Sequence, residues 1–382
     1  MNVPKLRFKE FNDEWIETKI QNVATVIGGG TPSTDEPKYW GNEINWFTPS
    51  EIGKTKYVTI SNRKISQDGL KNSSAKLLPK GTILLSSRAT VGEASILLNE
   101  ASTNQGFQSL IVNENNCNEF IYYLKYKYKR EMLIKSFGST FLEISKSNVE
   151  NIKIKIPSKE EQFMIANFLS LLDKKIELQS KKIEDLKLFK LYTKNQIFKD
   201  YDEIFKLKDI LVKWNKKNKN NSVKYVESIN NKYGFISQSD QFEDRNVASK
   251  DLNNYYIIEK GVFGYNPSRL NVGSLALKTN DKVSVVSPLY ECFTTTQNNQ
   301  YLLEWFDSKY FRKETISKFE GGVRNTLNFS NLCEIEIGLP TIEKQNMYSR
   351  IFKIFNNKIE FEVKKLYKLQ ELKKGLLQSM FV

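Results

Sequence analysis

The chain has no histidine among its 382 residues, and this absence removes several kinds of catalytic chemistry. Histidine is the usual general base near neutral pH, a member of catalytic triads and the commonest zinc ligand, so triad hydrolases and nearly all zinc sites are excluded. The three cysteines, Cys117, Cys292 and Cys333, are odd in number and scattered. They predict no disulfide framework and a reducing, cytoplasmic location.

Long apolar segments are missing as well. The sequence contains no uninterrupted apolar run of about 18 residues, the length that a membrane-spanning helix needs. Its N-terminal stretch is charged and lacks the apolar core of a secretory signal. The sequence therefore predicts neither a membrane span nor export.

Catalytic motifs are incomplete wherever they begin. Residues 53–55 look like the end of a phosphate loop, but Thr48 stands where that loop needs a glycine. Residues 28–30 lack the dinucleotide-binding spacing, and residues 266–268 lack the second proline and the aromatic residue of the loop found in DNA amino-methyltransferases. We therefore expect no catalytic residue, no metal site and no cofactor on this chain. An enzyme with an unrecognised site is the alternative.

The balance of charge favours a polyanionic partner. Lysine and arginine number 58 against 44 acidic residues, which gives a net charge of +14. A surplus of this size suits nucleic acid first and an anionic membrane surface second. The alternative is a generally basic composition, rich in Lys, Asn and Ile, as in AT-rich genomes.

The stretch that organises the chain is repeated. Residues 147–198 align without a gap on residues 330–381, at an offset of 183, and 16 of the 52 aligned positions are identical. Eleven of the other 36 pairs exchange one apolar residue for another. A repeat of this length outweighs any single motif and indicates two copies of one structural design.

Each copy predicts a short strand, a proline stop and a long helix. The strands are residues 151–156 and 334–339, each followed by a proline and then by Ser158 or Thr341 at the helix N-cap. Apolar residues then recur at alternating steps of four and three over about five heptads, which is typical of a coiled-coil seam. The apolar seam residues are Ile165, Leu169, Leu172, Ile176, Ile183, Leu186 and Ile197 in the first copy and Phe352, Phe355, Ile359, Leu366, Leu369, Leu376 and Met380 in the second.

Polar residues interrupt the seam at the same register in both copies. Gln179 matches Glu362, and Lys190 matches Lys373. Polar seam residues lower stability but specify register and partner. The alternative is that they lie on the rim of each helix. Two amphipathic helices of about 40 residues, each roughly 60 Å long, are expected to pair with each other.

A short link after the first helix determines the direction of the pair. Only residues 199–203 intervene, so the second globular part must begin at the far end of the first helix, and the second helix must run back. The predicted fold class is α+β, with two mixed α/β domains separated by a long antiparallel two-helix coiled coil and related by an internal pseudo-two-fold repeat. The predicted boundaries are 1–157 for the first domain, 158–199 for the first helix, 200–340 for the second domain and 341–382 for the second helix.

The two predicted domains share a fainter pattern. Residues 259–273 repeat the Lys-Gly turn of residues 79–92 and the later spacing of an arginine and a glycine. By contrast, the glycine-rich residues 28–53 have no counterpart in residues 214–239. A shared scaffold with different loops indicates one task performed twice on different targets.

Short motifs accompany the repeated segments at residues 156–162 and 339–345, which have an Ile-Pro or Leu-Pro pair followed by Glu-x-Gln. These motifs are Gly29-Gly30-Thr31-Pro32-Ser33, Tyr39-Trp40-Gly41, Ile44-Asn45-Trp46, Leu78-Pro79-Lys80-Gly81-Thr82-Ile83-Leu84 and Asn104-Gln105-Gly106-Phe107. With them, the chain resembles the specificity subunit of a type I restriction-modification system. The resemblance covers essentially the whole chain, in the order domain, helix, domain, helix.

This resemblance implies a non-catalytic subunit that recognises a bipartite, interrupted site in double-stranded DNA. Each domain, a target-recognition domain, would read one half of the site, with the helices as a ruler for the gap. It also implies two methyltransferase (modification) subunits docked on this chain and two restriction (motor-nuclease) subunits in the full complex. S-adenosylmethionine, ATP and Mg would belong to those partners. The alternatives are a coiled-coil scaffold without sequence-specific DNA recognition and a methyltransferase-associated enzyme.

Basic side chains on both predicted domains are expected to neutralise phosphates. They are Lys54, Lys56, Arg63, Lys64, Lys71 and Lys76 in the first domain and Lys216, Lys217, Lys219, Arg245 and Arg324 in the second. Arginine and amide side chains on loops can read base edges, and the residues predicted for this role are Arg88, Asn104, Gln105, Arg269, Asn271 and Asn325. For each residue the alternative is a solvated side chain or a hydrogen bond that stabilises a loop. Trp40, Trp46 and Trp305 are predicted to be core residues.

Overall fold

The computed structural model describes residues 3–137, 142–230, 233–238, 251–316 and 326–382. The chain divides into two compact units, Met1–Gln179 with Lys365–Val382, and Ser180–Lys364. Parts of both long helices contribute to the hydrophobic core of each unit. Leu169 and Leu376 lie in the core of the first unit, whereas Ile197 and Phe352 lie in that of the second.

The first unit combines strands and helices. Its described strands are β1 (Ile16–Lys19), β2 (Ala24–Gly28), β3 (Trp40–Phe47), β4 (Tyr57–Val58), β5 (Arg63–Ile65), β6 (Ile83–Leu85), β7 (Ala94–Leu97), β8 (Ser102–Thr103), β9 (Gln108–Val112) and β10 (Lys153–Ile156). Its helices are α1 (Ile20–Val23), α2 (Gln67–Lys71), α3 (Asn118–Ile134), α4 (Lys146–Glu150) and the beginning of α5 (Lys159–Ile197). A five-stranded sheet has the order β2-β9-β6-β7-β4, a three-stranded sheet has the order β5-β3-β8, and β1 pairs with β10.

The second unit has a similar composition. Its described strands are β11 (Glu203–Lys206), β12 (Leu211–Lys213), β13 (Glu227–Asn230), β14 (Gly234–Ser237), β15 (Tyr256–Ile258), β16 (Phe263–Tyr265), β17 (Leu275–Leu277), β18 (Ser284–Val286), β19 (Glu291–Thr295) and β20 (Glu336–Leu339). Its helices are α6 (Leu207–Ile210), α7 (Asn299–Phe306), α8 (Lys309–Ile316), α9 (Phe329–Cys333) and most of α10 (Ile342–Ser379). A four-stranded sheet has the order β12-β19-β16-β17, and the other strands pair as β13-β14, β15-β18 and β11-β20.

The structural repeat extends beyond the repeated sequence. Strands β2, β9, β6 and β7 of the first unit adjoin in the same order as β12, β19, β16 and β17 of the second. Ile156 lies opposite Ile16, and its counterpart at the 183-residue offset, Leu339, lies opposite Glu203. The duplication therefore includes the central sheets as well as the long helices.

Both long helices begin one residue after their predicted caps. The Ser158 hydroxyl accepts a hydrogen bond from the Glu161 amide at 3.3 Å, which satisfies one of the amides left free at a helix start. Helix α5 has 39 residues and α10 has 38, so each is about 58 Å long at 1.5 Å per residue. The predicted proline stops and caps therefore mark the ends of β10 and β20 and the starts of the two helices.

The contacts of α5 and α10 in the second unit show that these helices run antiparallel. Lys182 Nζ lies 2.8 Å from a Glu362 carboxylate oxygen, and Lys190 donates a hydrogen bond to the Asn356 side chain at 2.7 Å. Residue numbers therefore rise along α5 as they fall along α10. This is the direction that the short link after α5 predicts.

The seam positions are the covered positions of both helices. All fourteen apolar seam residues are buried or half-buried. Glu362 is only 1% exposed and also contacts Lys358 at 3.2 Å, so this polar position lies inside the seam and not on its rim. In the first unit, Lys373 pairs with Asp173 at 2.5 Å, and the 183-residue offset relates this pair to Lys190 and Asn356.

Candidate nucleic-acid interface

A buried glutamine near the start of each long helix is hydrogen-bonded to the start of a shorter helix in the same unit. The shorter helix is α3 in the first unit and α7 in the second. Gln162 accepts a hydrogen bond from the amide of Cys117, the N-cap residue of α3, at 2.9 Å. Its counterpart Gln345 accepts one from the amide of Asn298, the N-cap residue of α7, at 3.1 Å. Each side-chain amide also donates to the carbonyl of the proline before its helix. The identity of the two glutamines was visible in the repeat, but the contact they make was not.

The glycine-rich loop after β2 packs closely on its neighbours. Gly30 donates a backbone hydrogen bond to the Thr103 carbonyl at 2.9 Å. A Cβ atom on Gly29 would lie 2.0 Å from the Asn104 carbonyl oxygen, so only glycine fits there. The Thr31 hydroxyl donates to the side-chain carbonyl of Gln105. Tertiary packing thus brings the glycine loop beside the Asn104-Gln105 motif, which lies far from it in sequence.

Two tryptophan side chains are hydrogen-bonded to this loop. The indole N–H of Trp46 donates to the Gly30 carbonyl at 2.9 Å, and that of Trp40 donates to the Ser33 carbonyl at 3.0 Å. The two rings meet edge to face, with centroids 5.2 Å apart. Trp46 is 3% exposed, as predicted for a core residue, whereas Trp40 is half-buried under the exposed side chain of Arg63.

The predicted base-reading residues of the first unit differ in whether their side chains are available for a contact with DNA. Asn104 accepts a hydrogen bond from the Gly106 amide at 2.9 Å, so its side-chain oxygen stabilises its own loop. Gln105 is exposed beside the glycine loop. Arg88 pairs with Glu143 at 2.7 Å, and both side chains remain more than 40% exposed. Water screens this pair, so the Arg88 guanidinium can exchange its partner for a nucleic-acid acceptor at small cost.

Lys56 corrects the prediction of a phosphate contact. Its side chain is 9% exposed, and its ammonium lies 3.3 Å from the Glu119 carboxylate. It donates hydrogen bonds to the Ser170 hydroxyl at 2.6 Å and to the Tyr123 hydroxyl at 3.1 Å. Burial lowers the pKa of Lys56, although Glu119 opposes this shift. The charge of Lys56 therefore holds its loop on α3 and α5 and is not available to phosphate.

The other predicted lysines of the first unit remain at its surface. Lys54, Lys71 and Lys76 are exposed, and Lys64 is half-buried. Exposed lysines of this kind are suited to phosphate contacts, because the flexible stem and compact charge follow an irregular backbone. Their contact with DNA stays a prediction.

In the second unit, Lys216 pairs with Glu259, and Lys217 donates to the Asn254 carbonyl at 2.8 Å with its ammonium over the Tyr256 ring. The partners of both lysines lie in residues 254–259. The side chains of Lys216 and Glu259 are 52% and 36% exposed, so water screens this pair and a phosphate contact of Lys216 stays a prediction, whereas Lys217 is held by its carbonyl and ring contacts. Lys219 is exposed in the short 3-10 turn Lys219–Asn221.

The counterpart of the Arg88 loop in the second unit is the 3-10 turn Pro267–Val272. The Asn266 side chain caps this turn by accepting from the Ser268 amide at 3.0 Å, and Gly273 ends it at φ +89°, a conformation that favours glycine. Arg269 is exposed on the turn. Of the remaining predicted residues, Asn271 belongs to the same turn and its side chain is not described. Arg245, Arg324 and Asn325 lie outside the described residues.

Among the described residues, no group of three or more Cys, Asp or Glu side chains is arranged to hold a metal ion. None of the helices in the described ranges is long and apolar enough to cross a membrane. The candidate interface consists of the exposed basic and amide side chains described above, together with the two tryptophans that Arg63 contacts.

Comparisons of the sequence with known proteins give a consistent result. Residues 12–188 match the family model described as the type I restriction modification DNA specificity domain. The MjaIX type I restriction enzyme specificity subunit of Methanocaldococcus jannaschii is 40% identical over 193 residues, which are 50% of this chain and 45% of that protein. The EcoR124I/EcoR124II specificity subunit of Escherichia coli is 27% identical over 197 residues, 47% of this chain and 48% of the relative. The matched part spans about half the length of these curated relatives.

A solved structure extends the likeness of the fold to the whole chain. The S subunit of a type I restriction-modification system from M. genitalium superposes with a TM-score of 0.59 at 16% identity, covering 100% of this chain and 99% of that one. The chain therefore has the fold of that subunit.

Proposed function

We propose that the whole chain is the specificity subunit of a type I restriction-modification system, because residues 12–188 match the family model described as the type I restriction modification DNA specificity domain. It recognises a bipartite, interrupted DNA site and catalyses nothing itself. Methyl transfer and ATP-dependent cleavage belong to partner subunits, as do S-adenosylmethionine, ATP and Mg. The scattered cysteines favour a location in the cytoplasm.

The internal repeat is the observation that carries this proposal to the second half of the chain. The second unit has the same order of central strands and the same glutamine contact to a lobe helix as the first. Its surface loops differ, since the glycine-rich loop that the two tryptophans anchor has no counterpart in residues 214–239. A common scaffold with different loops supports two readers of different half-sites.

The exposure and attachment of the side chains distinguish those that contact phosphates from those that read bases. The exposed lysines Lys54, Lys71, Lys76 and Lys219 neutralise phosphates, which gives affinity and salt dependence without sequence preference. Sequence is read by the side chains that loops hold in place, with Gln105 and Arg88 in the first unit and Arg269 in the second.

Each long helix has an exposed apolar stripe. This observation favours the proposal that one chain binds two methylation subunits. In α5, Met164, Leu171 and Leu178 recur every seven residues and are 37%, 69% and 58% exposed. At the 183-residue offset, α10 has Met347, Ile354 and Phe361, which are 49%, 68% and 61% exposed. Neither stripe belongs to the seam. Two matching apolar surfaces on one chain suit two copies of one partner.

Replacing an apolar residue of either stripe by glutamate tests how many methylation subunits bind to one chain. Leu171→Glu and Ile354→Glu should each reduce a complex with two methylation subunits to a complex with one, and the double variant should bind none. Lys187→Glu is the matched control, since Lys187 is exposed and lies about 160° around α5 from Leu171. Native mass spectrometry counts the subunits. Complexes that keep two subunits in the double variant would contradict this assignment of the surface.

Methylation mapping tests the function itself. Cells that make the methylation partner are compared with and without this chain by long-read sequencing. We expect an interrupted motif, with one modified base on each strand, only where the chain is present. Identical methylation in both cells, with both proteins shown to be made, would contradict the proposal and favour a coiled-coil scaffold without sequence recognition.

A further inference from the structure

A stacked arginine on the first unit has a geometry that phosphate neutralisation does not require. Arg63 is exposed at the start of β5, directly opposite Trp46 on β3. Its guanidinium carbon lies 3.6 Å from the ring centroid of Trp40 and 5.4 Å from that of Trp46. The Trp40 ring therefore covers one face of the guanidinium, while the N–H donors lie in the guanidinium plane.

The two tryptophan rings that Arg63 contacts are fixed by hydrogen bonds from their indole N–H groups. Trp40 donates to the Ser33 carbonyl and Trp46 donates to the Gly30 carbonyl, so both rings are hydrogen-bonded to the glycine loop. The rings also meet edge to face at an interplanar angle of 90°. An arginine stacked on this pair has lost much of its rotamer freedom before any ligand arrives.

The backbone under Arg63 is also held. The Ser61 hydroxyl donates to the Arg63 carbonyl at 2.5 Å and accepts from the Trp46 amide at 2.9 Å. The carboxylate of Glu51 accepts from the amide of Asn62 at 2.6 Å. The side chain and the main chain are therefore both preorganised.

The Arg63 guanidinium contacts two aromatic rings, and no acidic side chain of the described residues pairs with it. Within the described ranges, Arg63 makes no ion pair and its side chain makes no hydrogen bond, in contrast to Arg88, which pairs with Glu143. Five N–H donors are thus in place and unused. A fixed planar fork gains most from two acceptors that are themselves fixed and coplanar, whereas a phosphate is served equally well by a flexible lysine.

We infer that Arg63 reads a guanine in the first half-site, an inference that rests on the proposed function. Guanine presents O6 and N7 side by side in the major groove, and the arginine fork matches this pair. This role replaces the phosphate contact predicted for Arg63 from sequence. Trp40 is then a positioning residue that holds the fork.

Arg63→Lys separates a base contact from a phosphate contact, because lysine keeps the charge and loses the fork. The chain is made with its methylation partner, and methylation is mapped at every site that matches either half of the wild-type motif. Arg63→Lys should lower the preference for one G·C pair of the first half-site by about 10- to 100-fold, and leave the second half-site and the gap unchanged. Arg130→Lys, at an exposed position on α3, is the matched control and should leave every position unchanged.

The second half-site is also the internal control for folding and assembly, because a misfolded chain would lose both halves. Wild-type specificity in Arg63→Lys, or a uniform loss at all sequences in Arg63→Ala with a salt slope lower by about 0.9, would show a phosphate contact and overturn the inference. A wild-type chain that directs no interrupted motif would instead contradict the proposed function, so the two failures are distinguishable.

Discussion

Replacing Gln162 by alanine should loosen the junction between α5 and α3 and leave the second unit unchanged. Gln162 is 1% exposed, and its side-chain oxygen accepts from the Cys117 amide at 2.9 Å. Its side-chain nitrogen donates to the Asn116 side chain at 3.0 Å and to the Pro157 carbonyl at 3.1 Å. Alanine removes all three contacts at once.

The expected loss of stability follows from the buried polar groups that the substitution leaves without a partner. A buried donor or acceptor without a partner costs about 1–3 kcal/mol, and the Cys117 amide and the Pro157 carbonyl both lose one. Water that enters the space left by the side chain would recover part of this loss, so we expect a local destabilisation of about 3 kcal/mol. Since 1.4 kcal/mol is a factor of ten, amides near the start of α3 should exchange with solvent roughly 100-fold faster.

Hydrogen exchange followed by mass spectrometry measures this effect by segment. Gln162→Ala should accelerate exchange in residues 117–124 and not in residues 298–306, where Gln345 makes the equivalent contact. Gln345→Ala should give the opposite pattern. Gln196→Ala is the matched control, since Gln196 is exposed on α5 and its loss should affect neither segment.

Equal acceleration in both segments would refute the reasoning, because it would mean that each glutamine supports the whole chain and not its own junction. Exchange rates within twofold of the wild type in both segments would refute it as well. That result would show that the buried hydrogen bonds contribute nothing to the stability of the α3 start.

Three further results are expected. Burial lowers the pKa of Lys125 to about 8 from an ordinary 10.5, so charging it destabilises the folded state below pH 8, and this penalty fades as pH rises from 8 to 10.5. Lys125→Met should therefore raise the free energy of unfolding of the first unit by about 1–3 kcal/mol at pH 7, and a gain that persisted undiminished at pH 10.5 would contradict this cause. Neutralising Lys54, Lys71 and Lys76 together should lower the salt slope of DNA binding by up to about 2.7, at 0.9 per phosphate contact, without changing the recognised motif. One heptad inserted at the same register of α5 and α10 should lengthen the tolerated gap in methylation maps, and altered half-sites would show instead that the helices read bases.

Much of the architecture could be predicted from the sequence because it depends on local chemistry or on the repeat. Pro157, Ser158 and the heptad spacing act within a few residues, so the helix starts and the covered seam positions follow from them. The polar seam position of Glu362 was also visible, and its burial shows that the alternative of a rim position does not hold there.

The role of individual charges could not be predicted in the same way. Lys56 and Lys54 are two residues apart in the same basic stretch, yet one is buried against Glu119 and the other is exposed. Composition counts both as candidates for phosphate. Their difference arises from which face of the loop packs on α3, a long-range contact that no local pattern records.

The sequence by itself therefore determined the duplication, the long helices and their pairing surfaces, because these depend on periodicity and on caps that act over short distances. Only the tertiary structure decided that Arg63 stacks on Trp40, that Gln162 and Gln345 hold equivalent helix starts, and which lysines face solvent. These contacts join residues up to 114 positions apart, as for Lys56 and Ser170, and the free energy that selects them comes from packing of the whole unit.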